Sequence, residues 1–159
     1  MKEMAIWHLT DLHIDCGKFK VKEHEYPDAK VVAITGDLHR KLAGWDFINS
    51  LLARGYVVVY VLGNHEYHSI SKKKVVTMKE VEMAWKQKSE ENENFYFLQN
   101  DSVVIDGVKF IGTTLWTDFN KEHEGSMLEF SLMSDANLIY KTVFFKSHTR
   151  IGGRNVTAE

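Results

Sequence analysis

Residues 61–68 read VLGNHEYH, and they follow Tyr56-Val57-Val58-Val59-Tyr60 directly. An apolar, β-branched run of this kind reads as a strand buried on both faces. It then empties into a glycine, an amide, an imidazole and a carboxylate: Gly63, Asn64, His65, Glu66. A turn explains such a sequence locally. A reactive site mounted on a strand end explains it too. What separates the two is whether other strands of the chain end in the same way.

Two others do. Met4 to Leu9 reads as a strand and runs into Thr10-Asp11-Leu12-His13, a D-x-H. Lys30 to Thr35 (KVVAIT) reads as a second and runs into Gly36-Asp37-Leu38-His39, a G-D. Between the second and third strands, Lys41 to Arg54 carries Leu42, Trp45, Ile48, Leu51 and Leu52 at helical spacing, with Gly55 at the expected stop. Strand, helix, strand implies a parallel pair joined by a right-handed crossover. In a parallel sheet the carboxyl ends of neighbouring strands lie side by side, and that edge is where open α/β folds bind ligands. Asp11, His13, Asp37, Asn64 and His65 are therefore expected to converge on one crevice.

The chemistry of that set is coherent. Carboxylate, imidazole and amide oxygen suit Mn²⁺, Fe or Zn²⁺. A carboxylate has two oxygens, so Asp37 has the means to bridge two ions about 3.5–4 Å apart. Gly36 and Gly63 let the backbone turn sharply and approach a ligand.

Beyond the third strand the order changes. Lys72 to Glu91 reads as a second helix, starting at Lys72-Lys73-Lys74 on its solvated end. Phe95 to Leu98 and then SVVIDGVKFIG (102–112) follow, and Asp106-Gly107 between β-rich runs is the sequence of a two-residue hairpin turn. Glu122 to Met133 reads as helix, Thr142 to Phe145 as a short strand, and IGGRNVTAE (151–159) as loop.

Composition bounds the reading. The 159 residues suggest one domain; 44% are hydrophobic and 26% charged, near the average for a soluble globular protein. A formal net charge of −2 argues against a polybasic nucleic-acid or membrane surface. Cys16 is the only cysteine, which rules out an intramolecular disulfide and favours a reducing, cytoplasmic setting. The N-terminal MKEMAIWHLTDLH is broken by His8 and Asp11 and reads as neither signal peptide nor membrane span.

The series D-x-H, G-D, G-N-H-E, with GTTLWTDF at 112–119, resembles the calcineurin-like metallophosphoesterase superfamily, particularly its small bacterial and phage members. The resemblance implies an α/β/β/α sandwich. It implies that Asp11 and His13 bind a first metal, that Asp37 bridges two, and that Asn64 binds the second and touches the phosphate. It places His65 over the leaving group. The implied reaction is hydrolysis of phosphomonoesters or phosphodiesters by a metal-activated hydroxide, on protein, nucleotide or nucleic-acid substrates.

The chain departs from the family pattern after Asn64-His65. There is no G-H-x-H, and the later histidines are His68, His123 and His148. The expectation is an N-terminal part of the family domain with an incomplete second metal site. It should also have an uncovered sheet edge near Asp106-Gly107, through which the chain associates with itself. The rival reading is a catalytically inactive binding or scaffolding module, or a truncated fragment. His148, after TVFFK, is expected in a connector and not as a ligand. His39 is read equally as a substrate contact or a loop residue. Trp116 and Asp118 are read either as cleft floor or as a buried tryptophan with a satisfied aspartate. Glu66 is read as starting a turn, and Cys16 as inert.

Overall fold

A computed structural model of the chain describes residues 4–17, 19, 26, 28–68, 76–116, 125, 145–151 and 154–158. Strands β1 (Ile6–Leu9), β2 (Val31–Thr35), β3 (Val57–Val61) and β4 (Phe95–Phe97) form one parallel sheet in sequence order. Ile6 pairs with Val31, Val31 with Val57, and Val58 with Phe95. Helix α1 (Trp45–Leu52) joins β2 to β3, and α2 (Met78–Glu90) joins β3 to β4. A strand order that always advances the same way, with crossovers of one hand, puts both helices on one face.

The side-chain alternation bears this out. Trp7, Leu9, Val32, Ile34, Val58 and Tyr60 point into a core with Ile48 and Leu51 of α1 and Val81 and Trp85 of α2. Val31, Val57, Val59 and Tyr96 point the other way, onto Val103, Ile105 and Phe110. Those last residues belong to β5 (Asp101–Ile105) and β6 (Val108–Gly112), an antiparallel hairpin. The layers are thus helices, parallel sheet, hairpin. Asp106 and Gly107 at the hairpin turn have φ of 47° and 83°, as a type I′ turn requires.

Several boundaries differ from the sequence reading. Helix α1 begins at Trp45, not Lys41, because Lys41 is in the left-handed region (φ 53°) and its N–H bonds to the carbonyl of Glu66 at 2.7 Å. Helix α2 begins at Met78, not at the lysine run, because Thr77 and Glu80 form a reciprocal capping box. Residues 72–74 lie outside the described residues. The strand expected over Thr142 to Phe145 is instead β7 (Phe145–Ile151), and the expected C-terminal loop contains β8 (Arg154–Ala158), paired antiparallel with it. His148 therefore lies within a strand, not past the end of one. The helix expected over Glu122 to Met133 lies outside the described residues, apart from Gly125, which is helical.

Candidate metal centre at the carboxyl edge of the sheet

The loops after β1, β2 and β3 are tied to one another by backbone. Asp11 N–H donates to the Gly36 carbonyl at 3.2 Å, His13 N–H to that of Asp37 at 2.9 Å, and Ile14 N–H to that of Leu38 at 3.0 Å. The first loop thus runs along the second as a continuation of the sheet. Asp11, His13 and Asp37 hold φ of 53°, 41° and 53°. Non-glycine residues pay about 1–2 kcal/mol for that region, and here the strain falls on the three residues expected to bind metal.

The second and third loops meet at two glycines. A Cβ on Gly36 would lie 2.8 Å from Gly63 Cα, and one on Gly63 would lie 2.1 Å from Asp37 Oδ1. The Asp37 carboxylate occupies the space that a side chain at 63 would take.

Glu66 orders this junction. Its side chain is fully buried. It accepts hydrogen bonds from Leu38 N–H (2.7 Å), Gly63 N–H (2.8 Å), Asp37 N–H (3.1 Å) and the Tyr60 hydroxyl (2.8 Å). Glu66 does sit in a 3₁₀ turn, His65–Tyr67, as the sequence suggests. Its larger role as a staple between two loops has no sequence signature, since three of its four partners are backbone amides, two of them 28 and 29 residues away. Burial, then the Glu66 carboxylate, raise the Tyr60 pKa well above its ordinary value, so the hydroxyl remains a donor.

Ligand atoms of Asp11, His13 and Asp37 lie within 4.8 Å of one another. His13 Nε2 is 3.6 Å from Asp37 Oδ2, and Asp37 Oδ1 accepts the backbone N–H of His65 at 2.9 Å. Two carboxylates and an imidazole in this arrangement fit a hard to intermediate divalent ion. Asn64 opens the 3₁₀ turn beside Gly63, and its carbonyl accepts Tyr67 N–H at 3.1 Å. Asn64 and His65 are therefore placed at the same edge as the first three residues.

His65 is buried, and its ring meets His13 edge-on at 4.5 Å between centroids. Its Nε2 lies 3.0 and 3.1 Å from the two oxygens of Asp15. Arg40 Nε is 3.3 Å from Asp15 Oδ2. Burial pushes the Asp15 carboxyl up, but the hydrogen bond and charge of His65, with Arg40 behind them, outweigh it and leave the pKa lowered. The sequence reading missed Asp15. Its signal was the extension of D-x-H to D-x-H-x-D.

The remaining candidates divide. His39 Nδ1 is buried and has no hydrogen-bond partner among the described residues. Trp116 is 44% exposed and tilts against Tyr67 at 5.9 Å, which corrects the buried reading. The stretch before it is anchored: Thr114 Oγ1 donates to the Leu62 carbonyl at 2.8 Å. Asp118 lies outside the described residues.

A parallel sheet whose strand ends gather carboxylate and imidazole side chains defines a class: an α/β protein with candidate divalent-ion ligands at its carboxyl edge. The family model for calcineurin-like phosphoesterases matches residues 4–151, and the chain belongs to that family. Among solved structures it is similar to the phosphopantetheinyl hydrolase PptH of Mycobacterium tuberculosis, with a TM-score of 0.61 at 15% identity. That likeness is one of fold; it covers 86% of this chain and 55% of the hydrolase. No curated protein matches the chain.

Proposed function

We propose that the chain is a metal-dependent phosphoesterase domain acting on phosphomonoesters or phosphodiesters. The observation that carries the reading is the convergence of Asp11, His13 and Asp37 at strand ends up to 26 positions apart in sequence. Membership of the phosphoesterase family supports it.

Asp11, His13 and Asp37 would hold one divalent ion. Asp37 and Asn64 would take part in holding a second, for which the described residues offer fewer donors. Bound Mn²⁺, Fe or Zn²⁺ would supply Lewis acidity and lower the pKa of water toward neutrality. The chain's own contributions are positional. Glu66 holds the backbone under Asp37, and the His65 N–H holds the Asp37 carboxylate itself. Asn64 would orient a phosphoryl oxygen through its amide. His65 would hold a proton for the departing alkoxide, with Asp15 setting the direction of its ring. Preorganised groups of this kind do not have to reorient as charge develops. Nucleotides, nucleic acids and phosphoproteins all present the ester this crevice would accept.

The test is hydrolysis of bis(p-nitrophenyl) phosphate and of an alkyl phosphate by the full 159-residue chain with Mn²⁺, and again with chelator. Metal-dependent turnover abolished by Asp37→Asn is the expected result. Metal binding without turnover on either ester would overturn it in favour of a binding module. His65→Ala should lower kcat on the alkyl ester by about 10²–10⁴-fold, the usual worth of general acid help. The loss should be much smaller on the nitrophenyl ester, whose leaving group needs no proton. Equal losses on both would remove His65 from protonation.

A further inference from the structure

The only cysteine of the chain lies beside this crevice. Cys16 is exposed, and its N–H donates to the His13 carbonyl at 2.7 Å. The tight turn so closed carries Asp15 and Cys16 back over His13. Ligand atoms of His13, Asp15, Cys16 and His65 all lie within 4.8 Å of one another. This set shares only His13 with the Asp11–His13–Asp37 set.

Its chemistry differs as well. Sulfur, two imidazoles and one carboxylate make four donors, the number and kind of a closed tetrahedral zinc site. Zn–S of about 2.3 Å and Zn–N of about 2.0–2.1 Å draw four donors well inside the 4.8 Å within which all of them stand here, and His65 and Asp15 already meet at 3.0 Å. Closing the site therefore takes a small inward movement, and Cys16, the exposed member, is free to make it. Two of the other donors are already set: His65 and Asp15 are in hydrogen-bond contact, and Arg40 holds the outer oxygen of Asp15. Thiolate prefers soft and borderline ions over Mn²⁺ or Mg²⁺.

We propose that His13, Asp15, Cys16 and His65 form a second, soft-metal site at the lip of the crevice, selective for zinc- and cadmium-class ions. Filling it releases the thiol proton to solvent, takes the His65 proton off Nε2 and leaves the ring protonated at Nδ1, and replaces the His65–Asp15 hydrogen bond by two bonds to the ion. A neutral imidazole offers one lone pair, so His13 cannot serve this site and the hydrolytic one together. An ion bound here withdraws His13 and His65 from the hydrolytic centre and inhibits it. That inhibitory consequence rests on the phosphoesterase reading; the site itself does not.

Cobalt(II) tests it, because a thiolate–cobalt bond gives a strong near-ultraviolet charge-transfer band and one cysteine makes the assignment unambiguous. The full chain should develop that band at one equivalent of Co²⁺. Zn²⁺ should bleach it, and Cys16→Ser, at an exposed position, should abolish it. Zinc should inhibit Mn²⁺-dependent turnover, and Cys16→Ser should weaken that inhibition at least ~10-fold with basal turnover retained. In the unaltered protein, equimolar zinc should protect Cys16 from iodoacetamide. Absence of the band, absence of protection, or a band that His65→Ala leaves unchanged would each overturn the site, the last by showing that sulfur binds without its neighbours. A band in a protein without turnover leaves the metal site standing and removes both the hydrolase reading and the inhibition.

Discussion

Glu66 accepts four hydrogen bonds at zero exposure, and three of them come from the backbone of the loops that present Asp37 and Asn64. Glu66→Ala would leave these donors unpaired, each at about 1–3 kcal/mol where no water replaces the carboxylate. The expected loss is at least ~3 kcal/mol by urea denaturation. Glu66→Gln keeps the shape and one acceptor oxygen, so it should cost less, but its amine meets a donor and the loss should still be measurable. Asp15 supplies a pH signature. Its carboxyl lies below its ordinary value of 3.8, chiefly because His65 outweighs the effect of burial. A lowered folded pKa contributes stability that is present above the unfolded value and lost as pH falls through the folded one. The stability gap between the unaltered chain and Asp15→Asn should thus be full at neutral pH and close only below about pH 4. Urea titrations across pH 2.5–7 as ~0.5-unit steps would show a gap that closes there, or one that does not.

At the scale of elements, the start of α2 is decided by a side-chain pair. Thr77 Oγ1 accepts Glu80 N–H at 3.2 Å, and Glu80 Oε2 accepts Thr77 N–H at 2.6 Å. Thr77→Ala should cost about 1 kcal/mol, or roughly 2–4 °C in Tm for a chain of this length. The helix bears on the site because Trp85, wholly buried on it, meets Tyr60 edge-on at 4.7 Å between ring centroids and donates its Nε1–H to the Lys41 carbonyl at 3.1 Å. Lys41 in turn donates its N–H to the Glu66 carbonyl. Helix α2 therefore supports the crevice from behind: through Tyr60 it reaches the Glu66 carboxylate, and through Lys41 the Glu66 backbone. Mutations in α2 that loosen Trp85 should lower metal affinity as well as stability, and isothermal titration with Mn²⁺ would separate the two.

At the scale of the whole molecule, the hairpin covers one face of the sheet, and among the described residues none packs on its own outer face. Ser102 pairs with Ile111 and Val104 with Lys109, which puts these four on that outer side. Val104 is 63% and Ile111 75% exposed. Apolar residues on an open two-stranded ribbon, whose edge groups seek a further strand, favour pairing with a second copy of the chain. We expect concentration-dependent association in sedimentation velocity, reduced by Val104→Lys with Ile111→Lys; a monomer at all concentrations would dismiss it. Among the described residues no helix is long and apolar enough to cross a membrane.

The sequence alone determined the strands as far as the Asp106-Gly107 hairpin, the crossover and the placement of Asp11, His13, Asp37, Asn64 and His65 at one edge. It could do so because continuous apolar runs, helical periodicity and strand-end glycines are local patterns, and parallel pairing then leaves little freedom in where the ends go. Asp106-Gly107 was legible for the same reason: its turn is a property of two residues. The roles of Asp15 and Glu66 were not legible. The pattern D-x-H-x-D points at Asp15, but its role is set by what lies against it, a histidine 50 positions away. Glu66 binds amides that every residue possesses, so no pattern of side chains announces it. The start of α1 was also misplaced, because Lys41 gives up helical geometry for a hydrogen bond to a residue 25 positions on. Only the tertiary structure decided which buried polar groups meet, because a hydrogen bond between distant loops depends on the register of the whole sheet and not on the residues that make it.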